Sequence, residues 1–364
     1  MLPRAIALYL PQYHPIPENN LWWGPGFTEW TNTARARPLF RGHYQPHIPA
    51  DLGYYDLRLE DSRIEQAELA RAYGFHAFCY YHYWFGNGRR ILQRPFDEVL
   101  ASGRPDFPFC LAWANESWAG VWHGLNDQRV LVPQTYPGVD DHHRHFDALL
   151  PAFLDPRYVR VDNKPLFLIY KPLDLPDARR TTELWREMAL RSGLPGLYLV
   201  CFHHDVSLDV RALGFDRMLH VPTIPKRRER TSWQQRLHTL LGRIDVHLQQ
   251  PLKIPFVEVL DLVAPEPPAQ AIPYIPSVLP NWDNTPRSQR EGLVLHGSTP
   301  ALFAPQVHKA LARAQALPEG ERMVFVKSWN EWAEGNHMEP DLRFGHGYLQ
   351  AFREAWQRGA DGPT

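Results

Sequence analysis

The sequence MVFVKSWNEWAEG, residues 323–335, joins an apolar run to a short segment rich in tryptophan and glutamate. The run from Met323 to Trp329 is dominated by apolar and β-branched residues, which predicts a mostly buried strand. Polar and aromatic side chains follow it directly. In barrels of alternating strands and helices, active sites form where the parallel strands end. This stretch therefore predicts the last strand of such a barrel together with part of a binding face.

Seven similar runs precede this stretch, at intervals that suit repeated strand–helix units. Helix patterns lie between several of them, at Asp61 to Tyr73, Thr181 to Ser192 and Ala304 to Ala314. This alternation gives a parallel sheet covered by helices. Eight units, with no GxGxxG after the first run, favour an α/β fold of the (β/α)8 TIM barrel type with long βα loops over an open doubly wound sheet. The seven runs are Ala5 to Tyr9, Phe75 to Trp84, Phe107 to Trp113, Leu166 to Lys171, Leu197 to His203, Asp216 to Val221 and Tyr274 to Leu279.

Length and composition fit one large folded unit. The chain has 364 residues, of which 44% are hydrophobic and 22% charged, so it can bury a large core. A single (β/α)8 catalytic domain over residues 1–364 is expected. Lys+Arg 39 against Asp+Glu 40 gives a formal net charge of -1, so nucleic acid and an anionic membrane are not expected as main partners. The expected ligand is neutral.

Two stretches interrupt the alternation. An aromatic loop at residues 14–57 is rich in proline, tryptophan and tyrosine, which suggests a lid or one wall of a cleft. A helical and proline-rich insertion at residues 225–273 begins with the basic run Lys226 to Arg230 and continues as an amphipathic helix that includes Trp233 and Leu237. The basic run could bind an anionic glycan or a lipid head group, although a solvated helix start is the simpler interpretation.

The cysteines and the first residues bear on the compartment. Cys79, Cys110 and Cys201 lie in apolar runs without CxxC spacing, which predicts reduced core residues and not a disulfide framework or a zinc site. The apolar segment within MLPRAIALYLPQYH is too short for a signal peptide or a membrane anchor, and no other run approaches ~18 apolar residues. A cytoplasmic protein without a membrane span is expected.

Polar and aromatic residues concentrate where the predicted strands end and in the loops that follow. A purely structural role would scatter such residues along the strands, so their concentration predicts one ligand-binding face. Tryptophan rings on that face would stack on sugar rings. The residues expected to bind substrate are Tyr9, Gln12, Tyr13, His14, Trp22, Trp23, Glu29, Trp30, Tyr81, His82, Trp84, Trp113, Asn115, Glu116, Trp118, Tyr170, Lys171, His203, Asp205, Trp282, Asn284, Arg287, Lys327, Trp329 and Asn330.

Glu331 and Glu334 form the strongest constellation for chemistry. A helical turn beginning just after the strand would bring positions i and i+3 onto one face, and Gly335 permits such a turn. The neighbouring tryptophan rings lower the local dielectric and are expected to raise the pKa of one carboxyl group. A proton donor and a base beside aromatic rings are what glycosidic bond cleavage needs. The alternative is a glutamate pair that forms ion pairs with arginine or lysine at a barrel rim.

Other clusters give weaker signals. Asn115 and Glu116 predict a clamp for sugar hydroxyls, with a catalytic role as the alternative. Asp140 to His145 is rich in aspartate and histidine, but adjacent ligands at a helix start point in different directions, so solvated surface is expected there. No metal and no cofactor are expected in the site. P-loop, HExxH and GxSxG motifs are absent, as is the DxD site of many sugar-nucleotide transferases.

Long, tryptophan-rich motifs occur along nearly the whole chain. They are WWGPGFTEWTN (22–32), PLFRGHYQPHIPADLGYYDLR (38–58), FHAFCYYHYWF (75–85), PFCLAWANESW (108–118), WDNTPR (282–287) and VKSWNEWAEGNHMEPD (326–341). These motifs resemble the glycoside hydrolase family 99-like proteins, also called the WbsX family of polysaccharide gene clusters. Family 99 comprises retaining, endo-acting α-mannosidases and mannanases on a (β/α)8 barrel, so the resemblance implies that fold.

The resemblance also implies roles for single residues. Matching NEWAE to the family 99 Glu-x-x-Glu makes Glu331 the base that deprotonates the substrate's 2-hydroxyl, which gives a 1,2-anhydro sugar. Glu334 is then the general acid and afterwards the general base, so burial beside tryptophan is expected to raise the pKa of Glu334. The sequence departs from the WbsX pattern at Ala119 to Gly124, where basic residues and an aspartate are usual. The resemblance therefore implies least about the subsite next to this segment and about the glycan that it recognises.

A retaining, endo-acting glycoside hydrolase that acts on a bacterial surface polysaccharide is the leading hypothesis. Its partner is an oligo- or polysaccharide substrate. One alternative is a glycosyltransferase of O-antigen or lipopolysaccharide biosynthesis, against which the missing DxD site and nucleotide-phosphate loop argue. The other is a carbohydrate-binding barrel without catalysis, against which the presence of both glutamates argues.

Overall fold

Eight parallel strands form the central sheet of the computed structural model, which describes residues 3–119, 130–224, 240 and 250–360. Each strand lies within or overlaps an apolar run predicted from the sequence. The strands are β1 (Arg4–Tyr9), β2 (Ala77–His82), β3 (Phe109–Trp113), β4 (Lys164–Ile169), β5 (Tyr198–His203), β6 (Arg217–His220), β7 (Ser277–Val278) and β8 (Met323–Val326).

The strands follow one another around the sheet in chain order, which is the arrangement of a (β/α)8 barrel. The first and last strands are neighbours, because β1 pairs in parallel with β8 and Ala7 lies opposite Val326. Between β6 and β7 the link is a bridge of Leu219 with Ile275 and a hydrogen bond from Ser277 Oγ to the carbonyl of His220 at 2.6 Å. The barrel is therefore nearly closed, and the predicted fold class is confirmed.

Helices cover the outside of the barrel, and the three helices predicted from the sequence are confirmed. The Ala178–Arg191 helix illustrates why they form. The Asp177 side chain accepts a hydrogen bond from the Arg180 N–H at 2.8 Å and caps the first turn, while Trp185 and Met188 lie buried against the sheet. The α-helices are Pro17–Trp23, Glu29–Arg35, Glu60–Ala72, Arg94–Ser102, Val139–Leu154, Ala178–Arg191, Thr285–Ser288, Pro300–Gln315 and Gly347–Ala360, with 3₁₀ helices at Pro172–Asp174, Phe256–Leu262, Gln289–Glu291, Glu319–Glu321 and Trp332–Glu334.

The barrel strands are buried on both faces, because helices cover the outside and side chains fill the inside. Ile6 and Val324 have no exposed surface. Cys79, Cys110 and Cys201 are free and buried, in agreement with the predicted core role. Among the described residues, no helix is long and apolar enough to cross a bilayer.

The aromatic loop at residues 14–57 is joined to the segment that follows β8. The N–H of Ala50 donates to the carbonyl of Pro340, and the N–H of Leu342 donates to the carbonyl of Ile48, each at 2.9 Å. The loop therefore stands beside the end of β8, where the glutamate pair lies.

The insertion at residues 225–273 is described from residue 250 onward. The basic run Lys226 to Arg230 and Trp233 lie outside the described residues. Leu252–Pro255 pairs in parallel with Leu293–His296 and forms a small ladder outside the barrel sheet. The remaining short strand pairs are Trp118–Ala119 with Val130–Val132, Arg160–Val161 with β4, and Asn330–Glu331 with Asn336–His337.

The Asp140 to His145 stretch lies on the Val139–Leu154 helix, and the expectation of solvated surface is wrong for two of its residues. Asp141 and His145 are 6% and 1% exposed. They are four positions apart, so the helix places them on one inward face. Asp141 Oδ2 accepts a hydrogen bond from Trp84 Nε1 at 3.0 Å, and His145 Nε2 lies 2.8 Å from His82 Nε2. These polar groups are buried with partners behind the sheet.

Candidate active site

A pocket opens at the carboxyl ends of the barrel strands. Its wall combines aromatic rings with carboxylates and cations. Both glutamates of the NEWAE segment face it. The lining residues are Leu10, Gln12, Tyr81, Tyr83, Phe85, Ala114, Glu116, Ser117, Trp118, Tyr170, Trp282, Arg287, Lys327, Glu331 and Glu334.

A tight turn after β8 brings Glu331 and Glu334 together. Trp332–Glu334 forms one turn of 3₁₀ helix, which ends at Gly335 with φ +58°. A Cβ at Gly335 would lie 3.0 Å from the Cβ of Asp283, so glycine suits both the left-handed backbone and the close approach. The two carboxyl groups share a hydrogen bond. The predicted i, i+3 arrangement is therefore present as a buried pair.

Arg287 joins Glu334 to a third carboxylate. Its Nη1 donates to Glu334 Oε1 at 2.6 Å, while its Nε donates to Glu29 Oε1 at 3.1 Å and Nη2 contacts the same oxygen. Burial alone would raise the pKa of Glu334, but the charge of Arg287, followed by that of Lys327, outweighs burial and lowers it. Glu334 is therefore held as a carboxylate when no ligand is bound.

The pKa of Glu331 moves in the opposite direction. Burial raises it well above its usual value, and the nearby charge of Glu334 raises it further. In the ligand-free pair these directions favour the protonated form of Glu331 and the carboxylate form of Glu334. This corrects the expectation that the residue with the raised pKa would be Glu334, because Arg287 pairs with Glu334 and not with Glu331.

Asn115 and Glu116 directly follow β3, and only Asn115 departs from the expected role. Asn115 Oδ1 accepts from the Lys171 N–H at 2.7 Å, and its Nδ2 donates to the Lys171 carbonyl at 2.8 Å, so its amide fixes the end of β4 and is not a hydroxyl clamp. Glu116 lines the pocket, with Lys171 Nζ 3.8 Å from Oε2. Burial raises the pKa of Glu116 to about 7, so a proton can be exchanged on this wall too.

Five residues expected to bind substrate lie in the core behind the pocket. Tyr9, His82, Trp84, Trp113 and Trp329 are each at most 5% exposed, and none of them lines the pocket. Successive side chains of a strand point to opposite faces, so those at alternate positions face the helix layer. These five pack between strand and helix and cannot stack on a sugar, which corrects the expectation for them.

Three further expected residues support the turn of the glutamate pair from beneath. The hydroxyl of Tyr13 donates to the carbonyl of Asn330 and accepts from the Trp332 N–H at 3.3 Å. The Trp30 ring packs against Tyr13 and Trp332, with centroids 4.7 and 5.4 Å away. Asn330 Oδ1 accepts from the Leu10 N–H at 2.8 Å and ties the turn to β1. These three residues hold the turn in place, and none of them lines the pocket as the expectation of substrate contact required.

The remaining expected residues lie outside the pocket lining as the structure describes it. Trp22 packs edge-on against Trp118 at 5.9 Å, close to the pocket wall. Asp205 is exposed, and its N–H donates to His203 Nδ1 at 3.1 Å. Asn284 Oδ1 accepts from the Leu293 N–H at 2.7 Å. This group comprises His14, Trp22, Trp23, His203, Asp205 and Asn284, and its members are not brought to the glutamate pair.

The sequence analysis missed several lining residues for a simple reason. Tyr81, Tyr83 and Phe85 line the pocket, whereas His82 and Trp84 between them do not. A strict period of two along FHAFCYYHYWF separates the two sets. That alternation could have excluded His82 and Trp84 and included Tyr83 and Phe85. Leu10, Ala114 and Ser117 carry no such signal, because they lie in loops just after strands.

Among the described residues that line the pocket, the carboxylates pair with arginine and lysine and do not form a metal-ligand group with histidine. One described group suited to a metal lies elsewhere, behind Trp332, and comprises His47, His337 and Asp341. The segment Ala119 to Gly124, which departs from the WbsX pattern, is described only at Ala119, so its other residues lie outside the described residues.

Comparison with known proteins gives a family match over almost the whole chain. The family model described as Glycosyltransferase WbsX matches residues 5–352. The WxcX proteins of Xanthomonas campestris pv. campestris strains B100 and ATCC 33913 are each 39% identical to the chain over 364 residues. These alignments cover 99% of this chain and 50% of each relative. The chain therefore spans about half the length of the curated relatives it matches.

Two solved structures share the fold at low sequence identity. The GH99 endo-α-mannosidase from Bacteroides thetaiotaomicron matches with a TM-score of 0.57 and 13% identity, over 99% of each chain. A glycoside hydrolase-like protein matches with a TM-score of 0.58 and 16% identity, over 98% of this chain and 94% of that one. These identities support a shared fold alone. Because the family model and the WxcX relatives match nearly the whole chain, the chain belongs to the WbsX family.

Proposed function

We propose that this protein is a retaining, endo-acting glycoside hydrolase that cleaves a bacterial surface polysaccharide. The Glu331–Glu334 pair carries the proposal, because two buried carboxyl groups share a hydrogen bond in the wall of an aromatic pocket. An acid and a base in one pocket are what glycosidic cleavage requires. The fold shared with a family 99 endo-α-mannosidase supports endo action.

Cleavage begins when Glu331 removes the proton of the substrate's 2-hydroxyl, whose oxygen attacks the anomeric carbon. Glu334 gives a proton to the glycosidic oxygen, and the bond between that oxygen and the anomeric carbon breaks. Water then opens the 1,2-anhydro sugar, giving its proton to Glu334, while Glu331 returns a proton to O2. Two displacements at the anomeric carbon retain its configuration.

The first step needs the proton on Glu334, whereas the ligand-free pair carries it on Glu331. The hydrogen bond between the two carboxyl groups supplies a direct path for this proton, and its transfer leaves the charge of the pair unchanged. A substrate 2-hydroxyl that donates to Glu331 favours the ionised form of Glu331. Substrate binding therefore shifts the proton to the residue that must donate it.

Sugar recognition uses groups that the pocket leaves available. Gln12 is 3% exposed, and its Nε2 has no partner within the described residues, so it can donate to a sugar hydroxyl. Trp282 presents an indole ring to the pocket, and Lys327 Nζ lies 4.7 Å from its centroid. The half-buried ring also packs against the cluster that contains Ile254 and Phe256, and the part of it that lines the pocket can contact a sugar.

A glycosyltransferase is the second candidate, because the matching family model is described as Glycosyltransferase WbsX. Such an enzyme needs a sugar-nucleotide donor, and its acceptor would be a growing polysaccharide. The pocket residues that the structure describes offer a carboxyl pair for bond cleavage, which favours the hydrolase. A barrel that only binds carbohydrate would not need a buried carboxyl pair that can exchange a proton.

The function is tested by incubating the full chain with purified bacterial surface polysaccharides and α-manno-oligosaccharides. New reducing ends, internal cuts by size-exclusion chromatography and an α-anomer seen first by NMR from an α-linked glycan are expected. The matched control is Glu116→Gln, which removes a pocket carboxyl group outside the pair and should keep activity within about tenfold.

The same preparation is incubated with a panel of UDP-, GDP- and TDP-sugars. Chain extension that depends on a sugar nucleotide would assign a transferase and overturn the hydrolase. Saturable glycan binding, measured by tryptophan fluorescence, with no new reducing ends from the same glycan would instead assign a binding barrel.

Arg287 sets the acid side of the pH profile. Because its charge lowers the pKa of Glu334, an Arg287→Gln variant should raise that pKa, and the acid limb of kcat/KM should move up by about one pH unit or more. The measurement is kcat/KM against pH for both proteins on one aryl glycoside.

This variant leaves the buried carboxylate of Glu29 without its cation, so a Glu29→Gln/Arg287→Gln double variant is measured beside it. The single variant Glu29→Gln keeps Arg287 beside Glu334 and should leave the acid limb near its wild-type position. If the double variant folds and the acid limb of its kcat/KM profile stays at the wild-type pH, the role given to Arg287 is contradicted.

A further inference from the structure

A compact group of three potential metal ligands lies behind the Trp332–Glu334 turn, called the catalytic turn here because it carries the proposed acid and base. His47, His337 and Asp341 each offer one ligand atom, and these atoms all lie within 4.8 Å of one another. All three side chains are buried. His47 belongs to the aromatic loop, whereas the other two belong to the segment after β8. The group therefore bridges two parts of the chain that are 290 residues apart.

The free ligand atoms are oriented toward one another by neighbouring hydrogen bonds. His337 Nδ1 lies 2.8 Å from the carbonyl of Glu339, which fixes the proton on that nitrogen and leaves a lone pair on Nε2. His47 Nδ1 lies 2.8 Å from this Nε2. Asp341 Oδ1 accepts from the N–H groups of Arg343 and Phe344, and the Tyr44 hydroxyl also hydrogen-bonds to this carboxyl group. Asp341 Oδ2 lies 3.9 Å from His337 Nε2. Partners of this kind typically orient metal ligands.

The charge of the group suits a divalent cation. Neutral imidazole is the form that binds metals. Two neutral rings and one carboxylate give a net charge of -1.

We propose that His47, His337 and Asp341 bind one divalent transition-metal ion, zinc in the first instance, which cross-links the aromatic loop to the catalytic turn. Two imidazoles and a carboxylate are ligands that zinc accepts, with water at the fourth position. The His337 ring stacks on Trp332 at 3.7 Å with an angle of 11°. An ion held here stabilises the turn that carries both glutamates without touching the pocket.

A hydrogen-bonded histidine pair without metal is the competing explanation. Around a tetrahedral zinc ion, two ligand nitrogens lie about 3.3 Å apart, which follows from bonds of ~2.0–2.1 Å. The 2.8 Å separation of the two histidine nitrogens must therefore widen by about half an ångström. The carboxylate placed against the same nitrogen favours the ion, because a simple pair needs no third ligand atom aimed at it.

The test measures metal in the full chain after it has been purified in chelator and titrated with ZnSO₄ alone. Inductively coupled plasma mass spectrometry should find one zinc per chain, and calorimetry should give one saturable site. Zinc should raise the Tm by about 2 °C or more, because an ion that binds only the folded protein stabilises it. Co²⁺ in place of zinc should give the visible absorption of a low-symmetry site.

His47→Gln should abolish the bound zinc, the Tm shift and the cobalt spectrum. His145→Gln is the matched control, because His145 belongs to another buried histidine pair with the same 2.8 Å separation but lies outside this ligand group. It should keep one zinc per chain, whatever its effect on the baseline Tm. Asp341→Asn, which retains an oxygen for the backbone N–H groups, should weaken zinc binding at least tenfold. Less than about 0.1 zinc per wild-type chain, or equal zinc in wild type and His47→Gln, would overturn the proposal.

Discussion

A Glu334→Gln variant is expected to lose hydrolysis of an unactivated glycan by ~10²–10⁴-fold while keeping most of its kcat/KM on an aryl glycoside. The amide cannot donate a proton to the leaving oxygen, which a sugar leaving group needs and a nitrophenolate does not. The side chain can still accept from Arg287 through its amide oxygen, so the turn should be preserved. The measurement is kcat/KM for both substrates, with Glu116→Gln as the matched control.

The second step separates an acid/base from a residue that only positions substrate. Water attack on the 1,2-anhydro sugar needs Glu334 as base, so this step should be slow in the variant. Added azide should therefore raise the kcat of the variant on the aryl glycoside. Azide attacks without general base assistance and should restore turnover. Equal losses of kcat/KM on the two substrates, with no response to azide, would show that Glu334 is not the acid.

The barrel could be predicted because its signals are local. Each of the eight apolar runs is bounded by loops. Strands such as β2 and β3 are buried on both faces, so their apolar residues form a continuous run in the sequence. The short strands were harder. In β7 only Ser277–Val278 is strand, although Tyr274 to Leu279 was predicted, because proline at position 276 and sparse pairing with β6 limit the ladder.

The glutamate pair could be predicted, whereas its proton could not. The i, i+3 spacing and Gly335 are local features of the sequence. The proton location depends on Arg287, which lies 47 residues from Glu334 and is itself held by Glu29, 258 residues away in the chain. Long-range ion pairs of this kind are set by the fold, so burial beside tryptophan gave the wrong member of the pair.

The tryptophans show the same limit. Trp113 and Trp329 follow the rule that aromatic residues near strand ends bind sugars, yet both are buried against helices. Trp118 and Trp282 line the pocket. Which face of the sheet a side chain takes decides between these outcomes, and a strand-end residue near an irregular loop does not reveal its face from spacing alone.

A Glu331→Gln variant is expected to lose ~10²–10⁴-fold of kcat/KM on glycan and aryl glycoside alike, because the attacking oxygen needs a base whatever the leaving group. Glutamine copies the protonated form of Glu331 in size and charge, and that form is the one that burial and the charge of Glu334 favour. The variant should therefore fold with a wild-type Tm and bind substrate with a Kd within about threefold of the wild-type value. Kinetics on both substrates and calorimetric titration with the intact glycan provide the measurements.

The base role of Glu331 also makes the substrate's own 2-hydroxyl indispensable. A 2-deoxy aryl glycoside has no oxygen to attack the anomeric carbon, so the wild-type protein should not cleave it even though removing that hydroxyl makes the bond intrinsically weaker. The matched substrate with the 2-hydroxyl should be cleaved by wild type and not by Glu331→Gln. If wild type cleaves both substrates at similar rates and Glu331→Gln cleaves neither, Glu331 attacks the anomeric carbon itself as the nucleophile. The retained configuration would then come from a covalent glycosyl-enzyme and not from an anhydro sugar.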